Sequence, residues 1–122
     1  MYSVRDEQFE GPLDLLLSLI EKEKLDITQI SLAKITGAYL EHTSQLDGNS
    51  AEIADFLVIA AKLLYIKSRE LIPQITNDNE EDEIADLEER LREYQIYKKA
   101  AERFDQKLSS LNRSYRKRGK SQ

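Results

Sequence analysis

The segment from about Ala51 to Leu71 constrains the fold most, because it is a helix with two apolar faces. The turn cluster Asp47-Gly48-Asn49-Ser50 precedes it, and Pro73 cannot continue it. On a 3.6-residue wheel, Ile53, Leu57, Ala60, Ala61, Leu64 and Leu71 share a broad face. Phe56, Ile59, Leu63 and Ile66 form a second stripe with spacings of 3, 4 and 3, the a/d intervals of a coiled coil. Glu52, Asp55, Lys62 and Arg69 leave only a narrow polar strip. A helix that is apolar on two faces is buried on two faces. The broad face is expected to pack on the preceding helices. The second stripe then needs a cover. Either the N-terminal segment or a later helix folds back over it, or a helix from another chain supplies it.

Two shorter helices precede this one. Pro12 suits a first helical turn, and Leu13, Leu16, Leu17 and Ile20 follow at i, i+3, i+4, i+7. Leu15 and Leu19 widen that face. Ser31 is the expected cap of a second helix with Leu32, Ile35, Tyr39 and Leu46 inside. Gly37 costs that helix about 1 kcal/mol relative to Ala, which suggests close packing there. The expected core is Leu13, Leu16, Leu17, Ile20, Leu32, Ile35, Leu57 and Leu64.

Charge divides the rest of the chain. Residues 78–89 hold eight acids and no base, whereas residues 90–122 hold eleven Lys/Arg against three acids. A chain of net charge −5 therefore ends in a basic arm, which reads as an interaction segment. Residues 74–83 read as an acidic linker in which Asp78 or Asp82 could cap a fourth helix. That long helix spans about 81–112, with 84–112 as its firm part. Its apolar positions are Ile84, Leu87, Leu91, Tyr94, Tyr97, Ala101, Phe104, Leu108 and Leu111, with one extra three-residue step from Tyr94 to Tyr97. Acids at its start and bases at its end complement the helix dipole. Residues 113–122 read as a basic disordered tail that could touch phosphates weakly.

The expected architecture is all-α: a three-helix N-terminal domain over residues 1–73, the linker, and the long helix. Four Gly and two Pro in 122 residues agree with that class. The chain has no Cys, so neither a disulfide nor a thiolate site is expected. The charged start Met1-Tyr2-Ser3-Val4-Arg5-Asp6-Glu7 is unlike a signal peptide, and no apolar run approaches a membrane span. A cytoplasmic protein is expected. His42 is the only histidine and stands apart from any acidic cluster, so neither a metal nor a catalytic role is assigned to it. The acids of 80–83 lack the spacing of a calcium loop. No glycine-rich phosphate loop occurs and no Ser/His/Asp set is evident, so no catalytic residue, metal or cofactor is expected. The second helix carries only Lys34 as a base, a poor recognition helix for DNA.

The motifs themselves resemble a known family. Phe9-Glu10-Gly11-Pro12-Leu13-Asp14-Leu15-Leu16-Leu17 is similar to the opening of the bacterial kleisins, the segregation and condensation protein A family. Leu25-Asp26-Ile27, Ala33-Lys34-Ile35-Thr36 and Tyr39-Leu40 resemble its second-helix pattern. Phe56-Leu57-Val58, Ala60-Ala61, Leu63-Leu64, Ile66-Lys67-Ser68-Arg69 and Leu71-Ile72-Pro73 resemble its third helix. Leu87, Arg90-Leu91, Glu93-Tyr94, Tyr97-Lys98 and Ala100-Ala101 resemble the start of its middle region. The resemblance covers about residues 5–105.

The resemblance implies a non-enzymatic condensin subunit acting in chromosome condensation and partition, at the nucleoid. It implies that the third helix joins the coiled-coil neck of the structural-maintenance-of-chromosomes (SMC) ATPase. It also implies that the middle region binds a dimer of segregation and condensation protein B (ScpB). On that basis Phe56, Ile59, Leu63 and Ile66 are expected to face the neck, and Leu87, Leu91, Tyr94 and Tyr97 the ScpB dimer. Leu63→Glu is then expected to leave the domain folded and abolish neck binding. The family's C-terminal winged helix has no counterpart in these residues, so ring closure is not expected of them. Two other readings stay open: a small helical DNA-binding regulator that uses the basic tail, and a self-associating helical protein.

Overall fold

The computed structural model describes residues 9–46, 50–74 and 77–120. All regular structure among them is helical: α1 (Pro12–Lys22), α2 (Gln29–Ser44), α3 (Ser50–Leu71) and α4 (Asp78–Lys120). The chain divides into two compact units, one through Arg92 and one from Glu93. The expected turn residues Asp47, Gly48 and Asn49, the start of the chain through Gln8, and Ile75-Thr76 of the linker lie outside the described residues.

Local chemistry sets the helix ends. Pro12 occupies the first turn of α1, and the buried Asp14 carboxylate accepts the Glu10 N–H at 3.0 Å, which anchors the entering chain. At the other end, Leu25 N–H reaches the Ile20 carbonyl and Lys24 N–H the Glu21 carbonyl, both at 3.0 Å. Lys24 takes φ 57 there, so a Schellman cap forms on a residue other than glycine. Thr28, not Ser31, caps α2: its hydroxyl accepts the Ser31 N–H at 3.1 Å, and Ser31 lies within the first turn. Gly37 faces solvent with nothing within 4 Å of a Cβ built on it, so the close packing expected there is absent.

The N-terminal unit buries Leu16, Leu17 and Ile20 from α1, and Leu32, Ile35 and Tyr39 from α2. The expected core member Leu13 is only half-buried. From α3 the buried residues are Phe56, Ile59, Ala60, Leu63 and Ile66. The expected core positions Leu57 and Leu64 are 53% and 47% exposed, whereas Leu63 is 0% exposed. The two faces of α3 are therefore largely exchanged relative to the expectation, although Ala60 of the broad face is buried as expected. The stripe with the larger side chains goes inside, because burying Phe, Ile and Leu removes more apolar area than burying a face diluted with alanine.

Residues 78–92 of α4 complete this unit. Ile84, Leu87 and Leu91 are fully buried, so the later helix covers what the first three leave open. Polar contacts fasten it. Arg69 pairs with Glu81 and also donates to the Gln29 side-chain oxygen. The Tyr65 hydroxyl donates to Glu81 at 3.2 Å and accepts the Asn77 N–H at 3.1 Å. The Arg92 guanidinium donates to the Ile27 carbonyl at 2.9 Å. Asn77 is the cap, accepting from Asn79 N–H at 3.0 Å and Glu80 N–H at 3.4 Å, in place of the expected Asp78 or Asp82. The acids read as linker thus form the first turns of α4, where the helix N-terminus favours negative charge. At the other end α4 continues to Lys120, through most of the stretch read as a disordered tail.

Tyr39 ties α2 to α3. Its buried hydroxyl donates to the Phe56 carbonyl at 2.8 Å, and the two rings lie 6.5 Å apart. Burial pushes its phenol well above the ordinary tyrosine range, the Thr43 hydroxyl opposing this in part. An acid raised in the folded state stabilises the fold fully below its unfolded value and loses that contribution as pH rises through and beyond it. Melting temperature is therefore expected to fall above about pH 10. Tyr39→Phe should lower stability by about 1 kcal/mol at neutral pH and flatten this alkaline decline. Thermal melts followed by circular dichroism across that range check it.

Candidate functional site

The outer face of α3 carries Ala54, Leu57, Ala61, Leu64, Ser68 and Leu71, spaced 3, 4, 3, 4, 3. All six are exposed, Leu71 at 73%. Val58 and Ile72 extend the apolar surface. No charged residue interrupts the six positions. This is a coiled-coil seam turned to solvent: leucines every seven residues, with Ala, Ala and Ser between them. The small residues let a second helix backbone approach closely. The neighbouring charges do not crowd the seam. Lys62 and Arg69 turn towards Glu83 and Glu81 of α4, at 4.0 Å for the Lys62 pair, and Lys67 pairs with Glu70 at 3.6 Å.

The structure therefore separates the residues expected to meet the neck from the surface able to meet anything. Phe56, Ile59, Leu63 and Ile66 lie inside the N-terminal unit. The seam at Leu57, Ala61 and Leu64 is part of the broad face that the sequence assigns to the core, and its exposure is what that reading misses. Its signal is present in the chain, since its register is as regular as that of the buried stripe.

The second unit is the helix from Glu93 onward. Tyr94, Tyr97, Ala101, Phe104, Leu108, Leu111 and Tyr115 follow spacings of 3, 4, 3, 4, 3, 4. Tyr97, Phe104, Leu108, Leu111 and Tyr115 are exposed, Phe104 at 63%. Tyr94 is half-buried; its ring lies 6.0 Å from that of Tyr97 and takes the Lys98 ammonium at 6.0 Å. Of the four residues expected to meet the ScpB dimer, Leu87 and Leu91 are buried in the first unit, and Tyr94 and Tyr97 begin this second stripe. The helix passes through the Tyr94–Tyr97 slip without a break.

His42 packs edge-on against Phe9, ring centroids 6.2 Å apart at 89°. Among the described residues no group of three or more His, Asp or Glu is placed to hold a metal ion. No helix among them is long and apolar enough to cross a membrane.

Among the described residues, two apolar helix faces are exposed, one in each unit. Comparison with known proteins identifies the family. The profile of the family described as segregation and condensation protein ScpA matches residues 19–121. A segregation and condensation protein A of Coxiella burnetii is 48% identical over 103 residues, covering 82% of this chain and 39% of its own length. That of Halothermothrix orenii is 37% identical over 119 residues, covering 96% of this chain and 49% of its own. That of Clostridium botulinum strain Alaska E43 is 41% identical over 120 residues, covering 95% and 48%. The chain spans at most about half the length of these curated relatives. The match runs through α2, α3 and α4, the elements that carry both exposed faces, and the chain belongs to the segregation and condensation protein A family.

Proposed function

We propose that this chain is a non-enzymatic kleisin subunit of a bacterial condensin, acting in the cytoplasm at the nucleoid during chromosome partition. The α3 seam of Leu57, Ala61, Leu64 and Leu71 takes the coiled-coil neck of the SMC ATPase. The stripe of Tyr97, Phe104, Leu108 and Leu111 takes the ScpB dimer. One observation carries the reading: an uncharged, solvent-facing seam with heptad spacing on a helix whose opposite face is already buried. Such a seam fits a helical partner, because knobs and holes need another helix to fill them. The buried stripe of Phe56, Ile59, Leu63 and Ile66 acts as the platform that holds the seam in place.

Two faces on different parts of the chain should be separable. The test mixes the full chain with an SMC head carrying its neck, and in parallel with ScpB, and follows co-elution. The wild-type chain is expected to join both. Phe104→Ser combined with Leu108→Ser should lose ScpB and keep the neck. If that variant loses both partners, or the wild type joins neither, the reading fails.

A further inference from the structure

From Glu93 onward the chain holds nine Lys/Arg against three acids. These charges are not spread evenly round the helix. Lys99, Arg103 and Lys107 step by four residues and form one ridge, continued by Ser110 and Ser114. All five side chains are exposed. None of the ion pairs found among the described residues involves them. No acid lies in the row itself; another row of the helix, Lys98, Glu102, Asp105, Ser109 and Asn112, carries one base and two acids. Arg103 sits one residue, about 100°, from Phe104, and the ridge runs beside the apolar stripe, with Lys107 next to Phe104 and Leu111.

We infer that this ridge is a binding surface for the phosphate backbone of duplex DNA, without sequence specificity. Its bases stand about 6 Å apart along the helix axis, and the whole ridge runs about 22 Å. A duplex presents a phosphate charge about every 1.7 Å of its axis, so each base finds a phosphate at hand in any register. The two serine hydroxyls are donors of the kind that contact phosphate oxygens. The regular four-residue spacing of the bases along one line favours a linear polyanion. Acidic protein surfaces offer no comparable charge density. Lys99 and Arg103 face away from the stripe, so a partner seated on Phe104 and Leu108 leaves them open.

The test is fluorescence anisotropy of the full chain on a short labelled duplex over a range of salt, with phosphatidylserine vesicles as a second target. The compared variant is Lys99→Gln/Arg103→Gln/Lys107→Gln, its helicity checked by circular dichroism. The wild type is expected to bind the duplex, and the variant to lose at least tenfold in affinity at low salt. The slope of log affinity against log salt should fall by about three, one per phosphate contact removed. Phe104→Ser/Leu108→Ser should bind DNA as the wild type does, even if the ScpB assignment fails. The inference is overturned if the wild type does not bind DNA, or if the triple variant keeps its affinity, which would place binding on the terminal bases Arg116 to Lys120. It is also overturned if vesicles rather than DNA show the ridge-dependent binding.

Discussion

Leu63→Glu is expected to unfold the N-terminal helical unit. Leu63 is fully buried on α3, in the same stripe as Phe56, Ile59 and Ile66. The substitution removes a leucine from a packed interior, which alone costs about 2–5 kcal/mol. It then leaves a carboxyl group with no partner in that interior. The group must either stay charged out of water or take up a proton far above its ordinary range, and both choices add several kcal/mol. Small domains have total stabilities of about 5–15 kcal/mol, so little or no folded population should remain. Helical signal and the cooperative melt are the measurements. A melt close to that of the wild type, with partner binding gone, would make this stripe the docking face instead.

Leu64→Glu, one residue later, should do the reverse. Leu64 is 47% exposed, and the new carboxylate can reach water. Surface changes of this kind typically shift stability by no more than about 0.5 kcal/mol. Binding is a different matter. A charge at the centre of an uncharged seam must be desolvated when a helix closes over it, and the leucine knob is lost as well. Central contacts of this kind are worth about 2–4 kcal/mol, so neck affinity should fall by a factor of roughly 30 to 1,000. Titration of the SMC head with its neck, alongside a thermal melt, reads both quantities. Leu57→Glu, one heptad earlier on the same seam, should behave alike. Unchanged affinity in both variants would remove the neck from this face. The pair Leu63 and Leu64 thus divides stability from binding within two adjacent residues.

Much of the fold is legible in the chain. Pro12, Pro73 and the regular leucine spacings mark helices α1, α2 and α3 within a few residues, because periodic apolar burial and proline's missing N–H act locally. Caps are less legible. Thr28 and Asn77 take the places expected of Ser31 and of Asp78 or Asp82, since several neighbouring residues can all accept a backbone N–H and the final choice depends on where packing starts the helix. The acidic stretch before Ile84 looks like a linker by composition. It is helix because Glu81 and Glu83 find Arg69 and Lys62 on α3, partners distant in sequence.

The two stripes on α3 show where local reading ends. Phe56, Ile59, Leu63 and Ile66, and likewise Leu57, Ala61, Leu64 and Ser68, keep the same three-and-four spacing. The all-α class, the approximate extents of α1 to α3, the family and the existence of two apolar faces on α3 all come from residue order, because each depends on neighbours a few positions apart. Which face turns inward depends on Ile84, Leu87 and Leu91, which lie some 20 to 30 residues beyond the stripe and are buried in the same unit. Periodicity is blind to that choice. Only the three-dimensional packing of α4 with the first three helices settles which leucines hold the unit together and which remain for a partner.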